Sequence, residues 1–230
     1  MEFSWGVAHD FSNLIQVIMG FAEMLRMQHK DHPETLESLD EIITATTRAR
    51  AMVADLLVIG RRNPSTPRAA DAAELLRRLA APLQQQMGER YTLHVTVDTG
   101  PQYAILDPDA LTRTLTLLCA YAAAGLREGG TITVRAEPAR LEPDGTDCLR
   151  ISVQDTGPGC DPAWVPRMCE PFFMKRHAKR GTGWELPVAA GLVEQQQGVL
   201  EVQTAPDGGT TMHVYLPAAR AEGAVTKGSV

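Results

Sequence analysis

Nothing in this chain reaches the length of apolar run that a membrane span requires. Of its 230 residues 44% are hydrophobic, yet no stretch approaches the roughly 18 apolar residues of a crossing helix. Met1 to Gly6 lacks the order of a secretory leader. Basic charge is short as well: 22 Lys and Arg against 28 Asp and Glu give a net charge of −6. That balance excludes a general nucleic-acid binder, which needs a cationic surface for phosphate. The four cysteines, Cys119, Cys148, Cys160 and Cys169, form no Cys-x-x-Cys pair. They suit reduced thiols in a cytoplasmic protein better than a disulfide frame or a zinc site. His29, His32, His94 and His213 show no metal-ligand spacing, so structural roles are expected for them and no metal site is anticipated. What remains is enough apolar material for one large domain or two modest ones.

The first sixty residues carry two helical patterns. Phe11, Leu14, Ile18, Phe21 and Leu25 repeat at steps of three and four, the seam of a helix that packs on other helices. The pattern fades in the polar, Pro-containing stretch Gln28 to Pro33. It resumes with Leu36, Leu39, Ile43, Thr46, Arg50, Val53 and Leu57. A short loop between two such helices makes an antiparallel hairpin, which cannot bury its seam alone. Two copies would form a four-helix bundle, which predicts a homodimer; a hairpin packed on its own C-terminal domain is the alternative. The prolines and polar residues of Arg61 to Arg68 mark the crossing to a second domain.

His9 stands near the start of the first helix and off its seam. Residues four apart are surface neighbours on a helix, so Asn13 projects beside His9 while Asp10 points about a quarter turn away. A neutral imidazole is a competent nucleophile when a carboxylate orients it or takes its proton. The run Ala8-His9-Asp10-Phe11-Ser12-Asn13 resembles the phosphoacceptor box of two-component sensor histidine kinases, in the subgroup reading His-Asp-Phe-Asn-Asn, with Ser12 in place of the first Asn. The resemblance implies phosphorylation of His9 and exchange with an aspartate of a response-regulator receiver domain. It also ties Asn13 to the reverse, phosphatase reaction. In that family a signal enters through a helix from upstream; here the box begins a few residues after Met1, so a sensor region is expected to be absent or cut away.

The remainder reads as mixed α and β: helices over 75–87, 108–126 and 187–196, strands over 92–97, 131–134 and 149–154, and a terminal hairpin of 199–204 with 210–216. This suggests helices layered on one face of a mixed sheet, an α+β sandwich. Asp155-Thr156-Gly157-Pro158-Gly159 follows a strand, and Gly181-Thr182-Gly183 precedes a helix. Glycines allow close backbone approach, and N–H groups at a helix start suit phosphate. With Glu170-Pro171-Phe172-Phe173 between them, these boxes resemble the nucleotide-binding domain shared by histidine kinases, gyrase-type ATPases and Hsp90-type chaperones. The resemblance then spans a dimerisation and phosphoacceptor domain over 1–62 and an ATP-binding-like domain over 71–218. It implies that Asp155 bonds the adenine amino group and that Met174 to Arg180 forms a mobile lid.

The departures cluster where phosphates would sit. Leu117 and Tyr121 occupy the two asparagine positions of the family's Asn-x-x-x-Asn-Ala helix, and the second Asn is the one expected on magnesium. A neutral phenol is a poor substitute for an amide oxygen. In place of Gly-x-Gly-Leu-Gly-Leu the chain reads Gly181-Thr182-Gly183-Trp184-Glu185-Leu186. Glu185 brings negative charge toward a triphosphate, a repulsion of about 1 kcal/mol at 4 Å in water and about 4 at an effective dielectric near 20. The basic run Lys175-Arg176-His177-Ala178-Lys179-Arg180 is expected to be a solvated lid. The expected protein is a phosphorelay component with an intact phosphoacceptor and a degraded ATP site, needing no cofactor of its own. Its expected partners are a receiver domain, a second copy of itself, and an upstream sensor domain or kinase. The alternatives are an active sensor kinase using ATP and magnesium, and a non-catalytic docking module.

Overall fold

A computed structural model of the protein describes residues 3–59, 65–97, 102–143, 145–206 and 208–219, without the side chains of residues 3–9, 48, 56, 57 and 59. The His9 imidazole, residues 60–64 of the crossing segment and the tail from residue 220 lie outside the described residues. The chain divides into two compact units, residues 1–63 and 64–230.

The first unit is a hairpin of α1 (Phe3–Gln28) and α2 (Pro33–Ile59). Pro33 opens α2, where its fixed φ is already helical and its missing N–H costs nothing. Apart from Val58 near the end of α2, the buried positions are Ile15 and Ala22 on α1 and Leu39, Thr46 and Val53 on α2, each set spaced by seven residues. Ile15 packs on Val53, and Arg26 bonds Asp40 across the hairpin at 3.1 Å. The Thr46 hydroxyl donates back to the Ile42 carbonyl at 2.8 Å, which is how a polar residue sits in that seam. The expected seam of Phe11, Leu14, Ile18, Phe21 and Leu25 stands exposed in the single chain, at 38% to 61%. The physical reason is that α1 is apolar over more than one stripe, and α2 covers the stripe carrying Ile15 and Ala22.

The second unit runs β1 (Arg68–Asp71), α3 (Ala72–Met87), β2 (Tyr91–Val97), β3 (Tyr103–Leu106), α4 (Pro108–Gly125), β4 (Gly130–Leu141), β5 (Thr146–Asp155), a 3-10 turn (Pro162–Arg167), α5 (Phe173–Ala178), α6 (Glu185–Gln195), β6 (Val199–Thr204) and β7 (Thr210–Pro217). Asp71 caps α3 through the N–H of Ala73 at 2.9 Å, and Asp107 caps α4 through Asp109 at 3.0 Å with Pro108 next. Asp107 also accepts from the Thr66 N–H, which leads the groups holding its carboxyl below the ordinary range.

A five-stranded sheet has the order β2-β4-β5-β7-β6, with β2 and β4 parallel and the other neighbours antiparallel. Alternation turns Ile132, Val134 and Ala136, then Leu149, Ile151 and Val153, then Met212, Val214 and Leu216 into one core with α3, α4 and α6. The two-stranded ribbon β1-β3 and helix α5 add to the expected elements, and β4 and β5 run longer than expected. Register in the β5-β7 pair sets Asp155 opposite Thr210, and that pairing positions the site described next.

Candidate functional site

β5 ends at Asp155, and the turn Thr156 to Gly159 follows it. Gly159 has φ +65°, and a Cβ there would lie 1.9 Å from the Ala205 carbonyl oxygen, so the turn closes only with glycine. It folds the Gly157 N–H onto Asp155 Oδ1 at 2.9 Å, and the Thr210 N–H reaches the same oxygen at 3.3 Å. Asp155 is 1% exposed. Its other oxygen accepts from Arg180 Nη2 at 2.5 Å.

Arg180 is the feature that the sequence reading placed wrongly. Lys175, Arg176, His177 and Lys179 are exposed as a solvated run would be, but Arg180 is 5% exposed. Its Nε donates to the Tyr121 carbonyl at 3.0 Å, Nη1 donates to Thr210 Oγ1 at 3.0 Å, and its carbon lies 4.1 Å from the Tyr121 ring centroid. A buried charge needs such a full set of partners. None of them is near in sequence, so only burial of neighbouring elements reveals them. The segment expected as a mobile lid forms α5, with Phe173 and Met174 in the core and Phe173 stacked on His177 at 4.2 Å.

Glu185 likewise has a different place from the one expected. Its carboxylate, 7% exposed, accepts the N–H groups of Thr182 at 2.7 Å and Gly183 at 3.0 Å. A Cβ on Gly181, which has φ +66°, would meet that carboxylate at 2.8 Å. The donors that the second glycine box presents are therefore satisfied by the chain's own anion, rather than facing a free repulsive charge.

Tyr121 lies on α4 with its hydroxyl buried and without a hydrogen-bond partner, and burial raises its pKa, which keeps the phenol neutral. Leu117, one turn earlier, packs against the core. Burial also pushes the thiols of Cys119 and Cys169 up, to about 12 and about 11, so neither is a thiolate at neutral pH. In front of Arg180 opens a cavity of about 400 Å³ lined by Gly125, Gly129, Thr156, Gly157 and Lys179 among others. Among the described residues no cluster of three His, Cys, Asp or Glu side chains is placed to hold a metal. On α1, Asp10 and Asn13 are both exposed.

Two family models match this chain. The His Kinase A (phospho-acceptor) domain covers residues 1–65 and the histidine kinase-, DNA gyrase B-, and HSP90-like ATPase covers residues 106–220. The chain belongs to the histidine kinase family. It is a two-component histidine kinase core, with His9, Asp10 and Asn13 inside the first match and Tyr121, Asp155 and Glu185 inside the second. Sensor kinase CckA of Brucella abortus is 26% identical over 226 residues, covering 94% of this chain and 24% of that protein. The sensory histidine kinase/phosphatase NtrB of Escherichia coli O157:H7 is 30% identical over 217 residues, covering 92% and 60%. The chain thus spans about a quarter to three fifths of the length of these relatives. Among solved structures, full-length ShkA in complex with AMPPNP shares the fold at a TM-score of 0.77 and 22% identity, over 96% of this kinase core and 46% of that chain. The mycobacterial sensor histidine kinase MprB matches at a TM-score of 0.54 and 26% identity, over 66% of this core and 98% of that chain. Among the described residues, no helix of this core is long and apolar enough to cross a membrane.

Proposed function

We propose that this histidine kinase core passes a phosphoryl group through His9 to or from a receiver-domain aspartate, without a working ATP site of its own. In this reading residues 1–62 are the phosphoacceptor and dimerisation part and residues 71–218 the ATPase-type part, and the protein acts in the cytoplasm as a homodimer. The single observation that carries it is the buried Arg180 guanidinium on Asp155, because a nucleobase has to meet that carboxylate and the position is filled. The residues present also do not fit magnesium. That ion demands near-octahedral oxygen ligands, and the position expected to serve it holds the buried, neutral phenol of Tyr121. Phosphoryl transfer rests on positioning and charge neutralisation, so losing the metal contact is severe.

The step at His9 draws on neither the Asp155 carboxylate nor a metal held at Tyr121. An imidazole nitrogen attacks the phosphorus of an aspartyl phosphate on the receiver. The P–N bond forms as the P–O bond to the receiver carboxylate breaks, and Asp10 takes the ring proton from the flank. The reverse step loads a second receiver. In this reading Asn13, exposed one turn along α1, holds the water for hydrolysis, as the family resemblance implies.

A second reading, an active ATP-dependent sensor kinase, is favoured by the ATPase-type family match over 106–220 and by the AMPPNP complex of ShkA. Incubation with Mg-ATP, and separately with a phosphorylated receiver, decides between the two. The proposal expects label on His9 only from the receiver, and none in H9A. Label from Mg-ATP in the wild-type protein would establish the kinase reading instead, and receiver binding with no movement of phosphate would leave a docking module.

A further inference from the structure

The turn of the first unit carries a pair of histidines. α1 ends at Gln28 and α2 begins at Pro33, so His29 to His32 alone reverse the chain. The His29 N–H still donates to the Leu25 carbonyl at 2.9 Å, the His32 N–H donates to the His29 carbonyl at 3.1 Å, and the His32 carbonyl accepts from the Leu36 N–H at 3.0 Å. A His-x-x-His interval carries no metal pattern by itself, but a closed turn draws its first and fourth residues together. The two imidazoles accordingly stand with ring centroids 5.8 Å apart and planes inclined at 59°. An ion bonded at about 2.1 Å to one nitrogen of each of two imidazoles sets the centroids about 5–6 Å apart, so the pair is already at ligating separation. Among the described residues neither ring bonds another side chain or a carbonyl. His177 and His213, by contrast, spend Nδ1 on the Phe173 carbonyl and on Ser152. Asp31, Glu34 and Glu37 are exposed around the turn and outnumber Lys30, which gives it a negative surround that draws cations.

We infer that His29 and His32 form a two-imidazole site for one divalent transition ion per chain, of the nitrogen-preferring class of nickel, copper and zinc, and that the ion clips the end of α1 to the start of α2. Water fills its remaining positions, since no third His, Cys, Asp or Glu side chain joins the pair among the described residues. Two nitrogen ligands rank the ions as manganese below nickel below copper, and they suit magnesium poorly because it demands oxygen. The inference rests on the hairpin turn and not on the route of phosphate through His9.

The test titrates the full chain, free of any affinity tag, with nickel chloride by calorimetry. Wild type is expected to take up one ion per chain with a Kd of about 10 µM, and H29Q and H32Q to bind at least about tenfold more weakly. Magnesium chloride is expected to give no saturable heat. At about 1 mM nickel, roughly a hundred times that Kd, amide exchange over residues 29–36 is expected to slow at least about tenfold in wild type and to stay unchanged in both variants. Electron paramagnetic resonance of the copper(II) form reads the ligands directly: two coordinated imidazole nitrogens in wild type, one in either variant. Both rings lie outside the buried core, so the metal-free variants are expected to melt within about a degree of wild type. Absence of saturable nickel binding, equal affinity in wild type and both variants, or a single imidazole nitrogen on copper in wild type overturns the inference. Labelling of wild-type His9 by Mg-ATP would defeat the proposed function alone, while any of these three results would defeat this inference alone.

Discussion

Glu137 and His213 face away from the main core and set how this fold responds to acid. Arg150 donates to Glu137, and this hydrogen bond above all holds the carboxyl below its ordinary value of 4.5. A depressed carboxyl stabilises the fold above its unfolded pKa, and that contribution is lost as pH falls through the folded value. We expect E137Q to lose about 0.5–1 kcal/mol at neutral pH, discounted for partial exposure. Its stability should then vary less with pH than wild type below about pH 4.5 when urea unfolding is followed as a pH series. His213 is also depressed, from 6.5, first by burial and then by Arg150, and Ser152 bonds its Nδ1 at 2.8 Å. Its neutral ring favours folding above 6.5, and the benefit goes as pH falls from there through the lower folded value. An NMR titration should find the ring below 6.5, and H213Q should remove that part of the acid slope. At this scale the sequence made Asp155, Gly157 and Gly159 legible because the strand-then-glycine pattern is local. Arg180 and Thr210 were not, because a guanidinium in a basic run looks solvated until three distant elements close on it.

The elements repeat that division. Long helices with regular apolar spacing, such as α4, and the β6-β7 hairpin announce themselves through neighbours a few residues away. The ribbon β1-β3 does not: Arg68-Ala69-Ala70-Asp71 has no β-branched residue, and its pairing with Tyr103–Leu106 spans a whole helix and strand. α3 carries Pro82 inside it, exposed, with no N–H to offer the carbonyl one turn back. P82A is expected to raise stability by about 1–3 kcal/mol, read as a higher urea midpoint with an unchanged slope. Two glycines should behave differently although both have positive φ. Gly88, at φ +82° after α3, has nothing within 4 Å of a built Cβ, so G88A should cost about 1 kcal/mol of backbone strain. At Gly159 the same methyl meets the Ala205 carbonyl at 1.9 Å, so G159A should cost about 3 kcal/mol or more. Equal losses in the two variants would show that steric contact at the turn after Asp155 is not what fixes glycine there.

For the whole molecule, two units with separate cores follow from the periodicity before Arg61 and the mixed pattern after it, and the two copies expected from that same periodicity rest on the surface that one hairpin leaves open. The face of α1 carrying Phe11, Leu14, Val17, Ile18 and Phe21 is 50% to 61% exposed in one chain. A soluble protein rarely leaves so continuous an apolar patch uncovered, and a second hairpin offers the complementary stripe. Each of these side chains is worth about 1.5–3 kcal/mol when fully buried. A carboxylate at the middle of the face forfeits one such contribution and adds the cost of taking a charge out of water. F21E is therefore expected to weaken dimerisation by at least about 100-fold, or about 2.7 kcal/mol. Sedimentation equilibrium at micromolar concentration should show wild type as a dimer and F21E as a monomer. Phe21 belongs to the first unit, so circular dichroism of the second unit's sheet and its melting should be unaltered in the variant. Monomeric wild type at such concentrations would remove the bundle, and the exposed face of α1 would then require another partner.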